Sequence, residues 1–178
     1  MKNKENLEEV GQTINYDGKE IEIIWKREVD FSKLKNVTQV YGIIFNKLGK
    51  ILIVKIKKNK WSLPGGTPES EDKSFEETLR REVIEEADVE IENLIPLGYQ
   101  RAVFADSSEK EQNQLRYVAK VKKILPQTID PAYGVISKRK FIYPKNFLKY
   151  CPWGKVGRRI IEDALFIKNN YFSHRKGL

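Results

Sequence analysis

"WSLPGGTPESEDKSFEETLRREVIEEADV", residues 61–89, joins a Gly/Pro/Ser-rich segment to a run with a helical period. Ser74 and Glu77 have the capping-box spacing, and Phe75, Leu79, Val83 and Ala87 recur every four residues with Ile84 beside them, so a helix is predicted over 75–87. Such a stripe buries against a sheet, which puts Glu82 and Glu86 along one edge of it and Glu85 a little further round. Like charges at this spacing cost about 0.2–0.5 kcal/mol unless a cation offsets them. The preceding loop contains Pro64-Gly65-Gly66, and glycine lets the backbone approach a ligand closely. Hard oxygen ligands at such a junction suit Mg²⁺ or Mn²⁺, ions that bridge carboxylates to substrate phosphates. A diphosphate is the natural partner.

Outward from this stretch the pattern turns to strands. "KEIEIIWKREV" (19–29) alternates, and "VTQVYGIIF" (37–45) with "ILIVKI" (51–56) reads as a hairpin around "NKLGK". Beyond the helix, "LIPLGYQRAVFA" (94–105) and "NQLRYVAKVKKIL" (113–125) are predicted strands around the polar loop "DSSEKEQ", and "KRKFIYP" a short one. "GKVGRRIIEDALFIKNN" (154–170) returns to a helical period. Strands, helix, strands and helix without βαβ alternation predict an α/β (α+β) fold, a mixed sheet covered by helices on its faces. The expected organisation is an N-terminal extension over 1–36 with one strand packed on the core, and a main domain over 37–178 that includes the C-terminal helix.

Composition sets outer bounds. A chain of 178 residues, 40% apolar and 11% aromatic, can bury one core. Its single cysteine, Cys151, excludes an internal disulfide and a thiolate metal site, which fits a reducing cytoplasm. No apolar run reaches the length of a membrane span. The net charge is +8, yet residues 67–92 hold eleven acidic against three basic residues, a local −8 that leaves +16 for the remainder. An acidic centre in a basic protein suits an anionic substrate drawn in by the general field and held by metal.

The same stretch resembles the Nudix box, G-x5-E-x7-R-E-U-x-E-E-x-G-U with U a bulky apolar residue. Arg81, Glu82, Val83, Ile84, Glu85 and Glu86 match its core and Val89 its last position, while Trp61-Ser62-Leu63-Pro64-Gly65-Gly66 is similar to the segment that precedes the box. The resemblance covers residues 37–168 and implies the Nudix fold and Mg²⁺- or Mn²⁺-dependent hydrolysis of a nucleoside diphosphate linked to another moiety. It further implies Glu82 and Glu86 as main metal ligands, Glu85 as a further ligand or water-holder, and the Gly65 carbonyl as a partner. Arg81 would orient a glutamate. Two departures stand out. Asp88 replaces the box glycine, and the loop is one residue longer, so the expected loop acid falls on Lys73 or Asp72 depending on the end counted from, with Glu71 or Asp72 as its replacement. The late segment that supplies a general base in many members reads "GVISKRKFIYP" and has no acid, which leaves Glu85, Glu109 and Glu111.

Other roles stay open at this level. Arg101, Arg116 and Gly66 are candidate substrate contacts, and Trp61, Tyr99, Phe104, Tyr143 and Trp153 are candidate stacking residues or core aromatics. The altered loop and the missing late acid favour, as the alternative, a nucleotide-binding module with weak or absent turnover. An RNA-directed role through basic segments such as "KVGRR" and "HRKGL" has no RRM, KH or zinc signature behind it, and along the chain the aromatics are not interleaved with the basic residues. A homodimer is compatible with the sequence.

Overall fold

A computed structural model of the protein describes residues 9–16, 18–55, 60–104, 111–129, 134, 136 and 138–172. Glu109, the tail "HRKGL" and most of "DSSEKEQ" lie outside the described residues.

Among the described residues nine strands form one sheet: β1 (Val10–Tyr16), β2 (Lys19–Lys26), β3 (Val37–Phe45), β4 (Ile51–Lys55), β5 (Trp61–Ser62), β6 (Gly65–Gly66), β7 (Val89–Phe104), β8 (Gln112–Ile124) and β9 (Lys138–Ile142). Their order is β1-β2-β7-β8-β3-β4-β5, with β6 on β3 and β9 on β4. The β3–β8 pair is parallel and the other pairs are antiparallel, so the sheet is mixed. The β3–β4 turn closes as its sequence dictates: Asn46 Oδ1 accepts from the amides of Leu48 and Lys50, and Gly49 supplies the positive φ of 70°.

Helix α1 (Phe75–Ala87) covers one face. Leu79, Val83 and Ala87 are at most 1% exposed and pack with Val40, Ile44, Leu52 and Val54 of β3 and β4. The other face carries Ile43, Phe45, Ile51 and Ile53 beneath α2 (Phe147–Tyr150) and α3 (Gly154–Ile167), and a π-helical turn (Lys168–Phe172) extends α3. The expected two-faced α+β sandwich is what forms.

Two expectations need correction. The first 36 residues supply two strands, not one: β1 pairs with β2 along its whole length, and β2 pairs with β7. They also reach the core, since Trp25 Nε1 donates to the buried Asp163 of α3 at 2.8 Å, and Arg159 (3.1 Å) and Arg27 (3.6 Å) balance that carboxylate. In addition, β7 starts at Val89, directly off α1, and not at residue 94; the register shifts between Glu92 and Ile95, beside Asn93 at φ 53°, mark an irregularity that breaks the strand's alternation.

Candidate active site

The loop between β4 and α1 is held against β3. The Gly42 amide donates to the Pro64 carbonyl, and Gly65 and Gly66 pair opposite Tyr41 and Val40. Gly65 has φ 139°, and a Cβ there would lie 2.1 Å from the Val40 carbonyl oxygen, so no other residue fits. A Cβ on Gly66 would meet the Glu82 carboxylate at 2.4–2.6 Å. Glycine is thus what lets the acidic edge of α1 close onto the loop.

Helix α1 begins at Ser74, whose hydroxyl accepts from the Glu77 amide at 3.2 Å. The return bond of the capping box is shifted by one residue, because Glu77 accepts from the Lys73 amide at 2.9 Å. At the other end Asp88 takes the left-handed conformation (φ 50°, ψ 49°) that glycine commonly adopts just past a helix. Its carboxylate accepts from the Thr128 amide and hydroxyl. Arg139 donates to the carbonyls of Ala87, Asp88 and Leu125, capping the end of α1. Arg139 stands within "ISKRK", so that segment supplies a helix cap in place of an acid.

Arg81 is the cation that offsets the crowded glutamates. Its Nε and Nη2 donate to the two oxygens of Asp72 at 3.1 and 3.0 Å, and Nη2 also to the Thr67 carbonyl at 3.0 Å. Its Nη1 donates to Glu82 at 3.1 Å and Glu85 at 3.3 Å, with Glu69 at 3.5 Å. Of the two candidates for the loop acid, Asp72 is the one that meets Arg81; Glu71 is exposed and accepts from Ser70. The guanidinium holds the Asp72 carboxyl well below the usual carboxylate range. Burial pushes the Glu82 carboxyl up, against the pull of Arg81. Glu86 accepts from the Gly65 amide at 2.9 Å, so Gly65 meets the acidic edge through its N–H. Among the described residues no three acidic, histidine or cysteine side chains converge as a metal-holding group.

Beside this edge, on the α3 face, lies a cleft of about 980 Å³ lined by Thr67 at one side and by β1, β2, β3, β7, β8 and the start of α3 at the others. Arg116 is its charged residue: 2% exposed, with no carboxylate in ion-pair distance among the described residues and no hydrogen-bond partner for Nε. Its other nitrogens donate to the Leu115 carbonyl and to Gln114. The guanidinium carbon sits 4.6 Å from the Tyr41 ring centre and 5.7 Å from that of Trp153. Burial pushes its pKa down to about 10, which leaves it charged at neutral pH. Gln12, Gln39, Gln100, Gln112 and Gln114 supply amides to the same walls. Register ties cleft to edge, because Tyr41 lies opposite both Arg116 and Gly65. Two inter-strand steps, about 10 Å, thus separate the Arg116 and Gly65 backbones.

The remaining candidates separate. Arg101 alternates with the cleft-lining Gln100 and Ala102, so it stands on the other face, 3.7 Å from Glu111. Phe104 and Trp153 line the cleft; Tyr99 packs on the α1 face, and Trp61 and Tyr143 stand elsewhere. The five glutamines went unread in the sequence, where only their recurrence at alternate positions of β8 (112, 114) marked a shared polar face.

A family model described as NUDIX domain matches residues 35–145. Among solved structures the chain is similar to the Bacillus subtilis pyrophosphohydrolase BsRppH, with TM-score 0.66 and 18% identity over 90% of this chain and 98% of that one. It is also similar to a NUDIX hydrolase from Nitrosomonas europaea, TM-score 0.58 and 17% identity over 74% and 90% of the two chains. A C. elegans Ap4A hydrolase gives TM-score 0.51 and 18% identity over 74% and 98%. At these identities the likeness to solved structures is one of fold.

Proposed function

The chain belongs to the Nudix family of hydrolases that act on diphosphate bonds, and from that premise we propose that it cleaves a nucleoside diphosphate joined to a second moiety, by divalent-metal-dependent attack of water on phosphorus. The observation that carries this reading is Arg116, a buried cation without an acidic partner among the described residues, in a cleft that opens beside an acidic helix edge. A buried unpaired charge is costly, and an anionic ligand such as a phosphate balances it.

The donor set suits Mg²⁺ or Mn²⁺. Glu69, Asp72, Glu82 and Glu85 share one guanidinium and Glu86 stands one turn beyond Glu82, which leaves the edge net negative, and burial of Glu82 disfavours its charge unless a cation offsets it. Glu82 and Glu86 would be the main ligands of the ion and Glu85 a further ligand or water-holder, with water supplying the rest of the coordination shell. When bound, the ion would lower the pKa of a coordinated water and neutralise charge on the phosphoryl oxygens.

The chain's own residues divide the remaining work. Arg116 binds an anionic oxygen and fixes the diphosphate across the mouth of the cleft. Phe104, Trp153 and the glutamine amides face the nucleoside. Arg81 orients Glu82 and Glu85, and the Gly65 amide orients Glu86. Glu85 is the base that receives the proton of the attacking water, ahead of Glu111 because it stands on helix α1 and Glu111 in the loop before β8.

The test is a panel of nucleoside diphosphate derivatives with Mg²⁺ or Mn²⁺ in ¹⁸O-water. The expected result is metal-dependent release of a nucleoside monophosphate, with one ¹⁸O in one of the two phosphate products. One observation favours a second reading, nucleotide binding without turnover: the late segment offers Arg139 as a helix cap and no acid. Tight binding of the panel with no product would select it.

A further inference from the structure

Strands β4 and β9 pair antiparallel, with Lys55 opposite Lys138 and Ile53 opposite Lys140. This pairing joins two segments, residues 46–66 and 134–160, neither of which contains an aspartate or glutamate. Lys55, Lys138 and Lys140 share a face with Ile51, Ile53 and Ile142, the face that packs α2. The rings they meet come from β5 and α2: Lys140 Nζ is 5.2 Å from the Trp61 ring centre and 5.0 Å from that of Tyr150, and Lys55 Nζ is 6.0 Å from Trp61. At the other end of the β4–β9 pair, beyond Ile51 and Ile142, Lys50 Nζ lies 4.8 Å from the ring of Tyr143, which is 52% exposed. Three cations elsewhere on the sheet do have acidic partners, in Lys26–Glu9, Lys122–Glu90 and Arg101–Glu111. Among the described residues no ion pair engages Lys50, Lys55, Lys138, Lys140 or Lys149. The interleaving of rings and cations that is absent along the chain is created by the fold.

We propose that this edge, formed by β5, β4, β9 and α2, binds single-stranded nucleic acid. A field of unpaired lysines attracts phosphates, and a phosphate that draws a lysine off its ring frees an aromatic face for a base. A ligand that repeats charge and aromatic plane at short intervals uses both features, whereas an anionic bilayer or an acidic peptide uses only the charge. The surface is separate from the cleft and does not depend on the reaction carried out there.

Fluorescence anisotropy with a labelled 12-nucleotide oligouridylate and an oligothymidylate, across a salt series, tests this. The expected result is binding at low salt that weakens by a slope of about −0.7 per phosphate neutralised. Lys55→Glu/Lys140→Glu should weaken it at least tenfold, and Tyr143→Ala several-fold with the salt slope unchanged. Lys122→Glu, on β8, should leave it as it was. Thermal melts establish that the variants fold, and Lys138→Glu/Lys149→Glu, on exposed residues, stands in if the first pair does not. Uridylate held more tightly than thymidylate would identify RNA as the preferred strand, and equal affinity would keep both. Absent binding at low salt, wild-type affinity in the charge-reversed proteins, or equal binding of phosphatidylserine vesicles or polyglutamate would overturn the proposal.

Discussion

Asp72 and Arg81, nine residues apart, form a two-pronged ion pair at 3.1 and 3.0 Å, with the Asp72 side chain only 8% exposed. This pair fixes the arginine whose Nη1 donates to Glu82 and Glu85. Asp72→Asn should cost ~1–3 kcal/mol at pH 7, since it weakens charge-assisted bonds to a half-buried guanidinium. Glu71→Gln should stay within about 0.5 kcal/mol of wild type. Urea unfolding of the two variants checks the assignment.

The same pair sets an acid dependence. The folded Asp72 carboxyl titrates below its ordinary value of 3.8, so its stabilisation is complete above that value and is lost as the pH falls through the folded pKa. The stability gap between wild type and Asp72→Asn should therefore narrow as the pH drops below about 4. A constant gap down to the acid unfolding limit would mean that the pair contributes little.

Glu82 behaves in the opposite sense. Its carboxyl is pushed up by burial, so the charged form is a penalty at neutral pH that disappears as the pH falls through its folded pKa. Metal-free Glu82→Gln should then be as stable as wild type or more so. Millimolar Mg²⁺ or Mn²⁺ should raise the melting temperature of the wild type and leave that of Glu82→Gln/Glu86→Gln unmoved. An equal shift in both proteins would remove these glutamates from the metal site.

Arg116→Met tests the cleft. Replacing a buried cation that has no acidic partner among the described residues by an apolar side chain of similar length should leave stability unchanged or raise it by ~1–3 kcal/mol. Nucleotide affinity should fall at least about tenfold, the loss of one charge-assisted contact. Isothermal titration and thermal melts on one preparation separate the two effects. Loss of stability with affinity retained would make Arg116 a packing residue.

Local signals in the sequence were strong where one element decides its own conformation. The α1 stripe, its Ser74 cap and the Asn46–Gly49 turn formed as their residues dictate. Strand β1 was not legible because "VGQTINY" forms an outer strand of the sheet and buries none of its described side chains fully, so it carries no apolar alternation. The start of β7 was hidden by Asn93, whose positive φ interrupts the period. Arg101 and Arg116 are equivalent in sequence, each on a strand beside apolar residues. Only the β7–β8 register, which sets Gln100 opposite Gln114 and Arg101 opposite Asn113, decides that Arg116 faces the cleft and Arg101 does not. The choice between Glu71 and Asp72 likewise depended on loop geometry.

The central claim, that the acidic edge of α1 performs hydrolysis, is tested most directly by the turnover of Glu85→Gln at saturating Mn²⁺ on whichever nucleotide the wild type cleaves. The expected result is a fall in kcat of at least about a hundredfold with KM little changed, the loss typical of a general base. A variant within a few-fold of wild type, with Glu109→Gln or Glu111→Gln inactive instead, would contradict the assignment and move the base to the loop after β7.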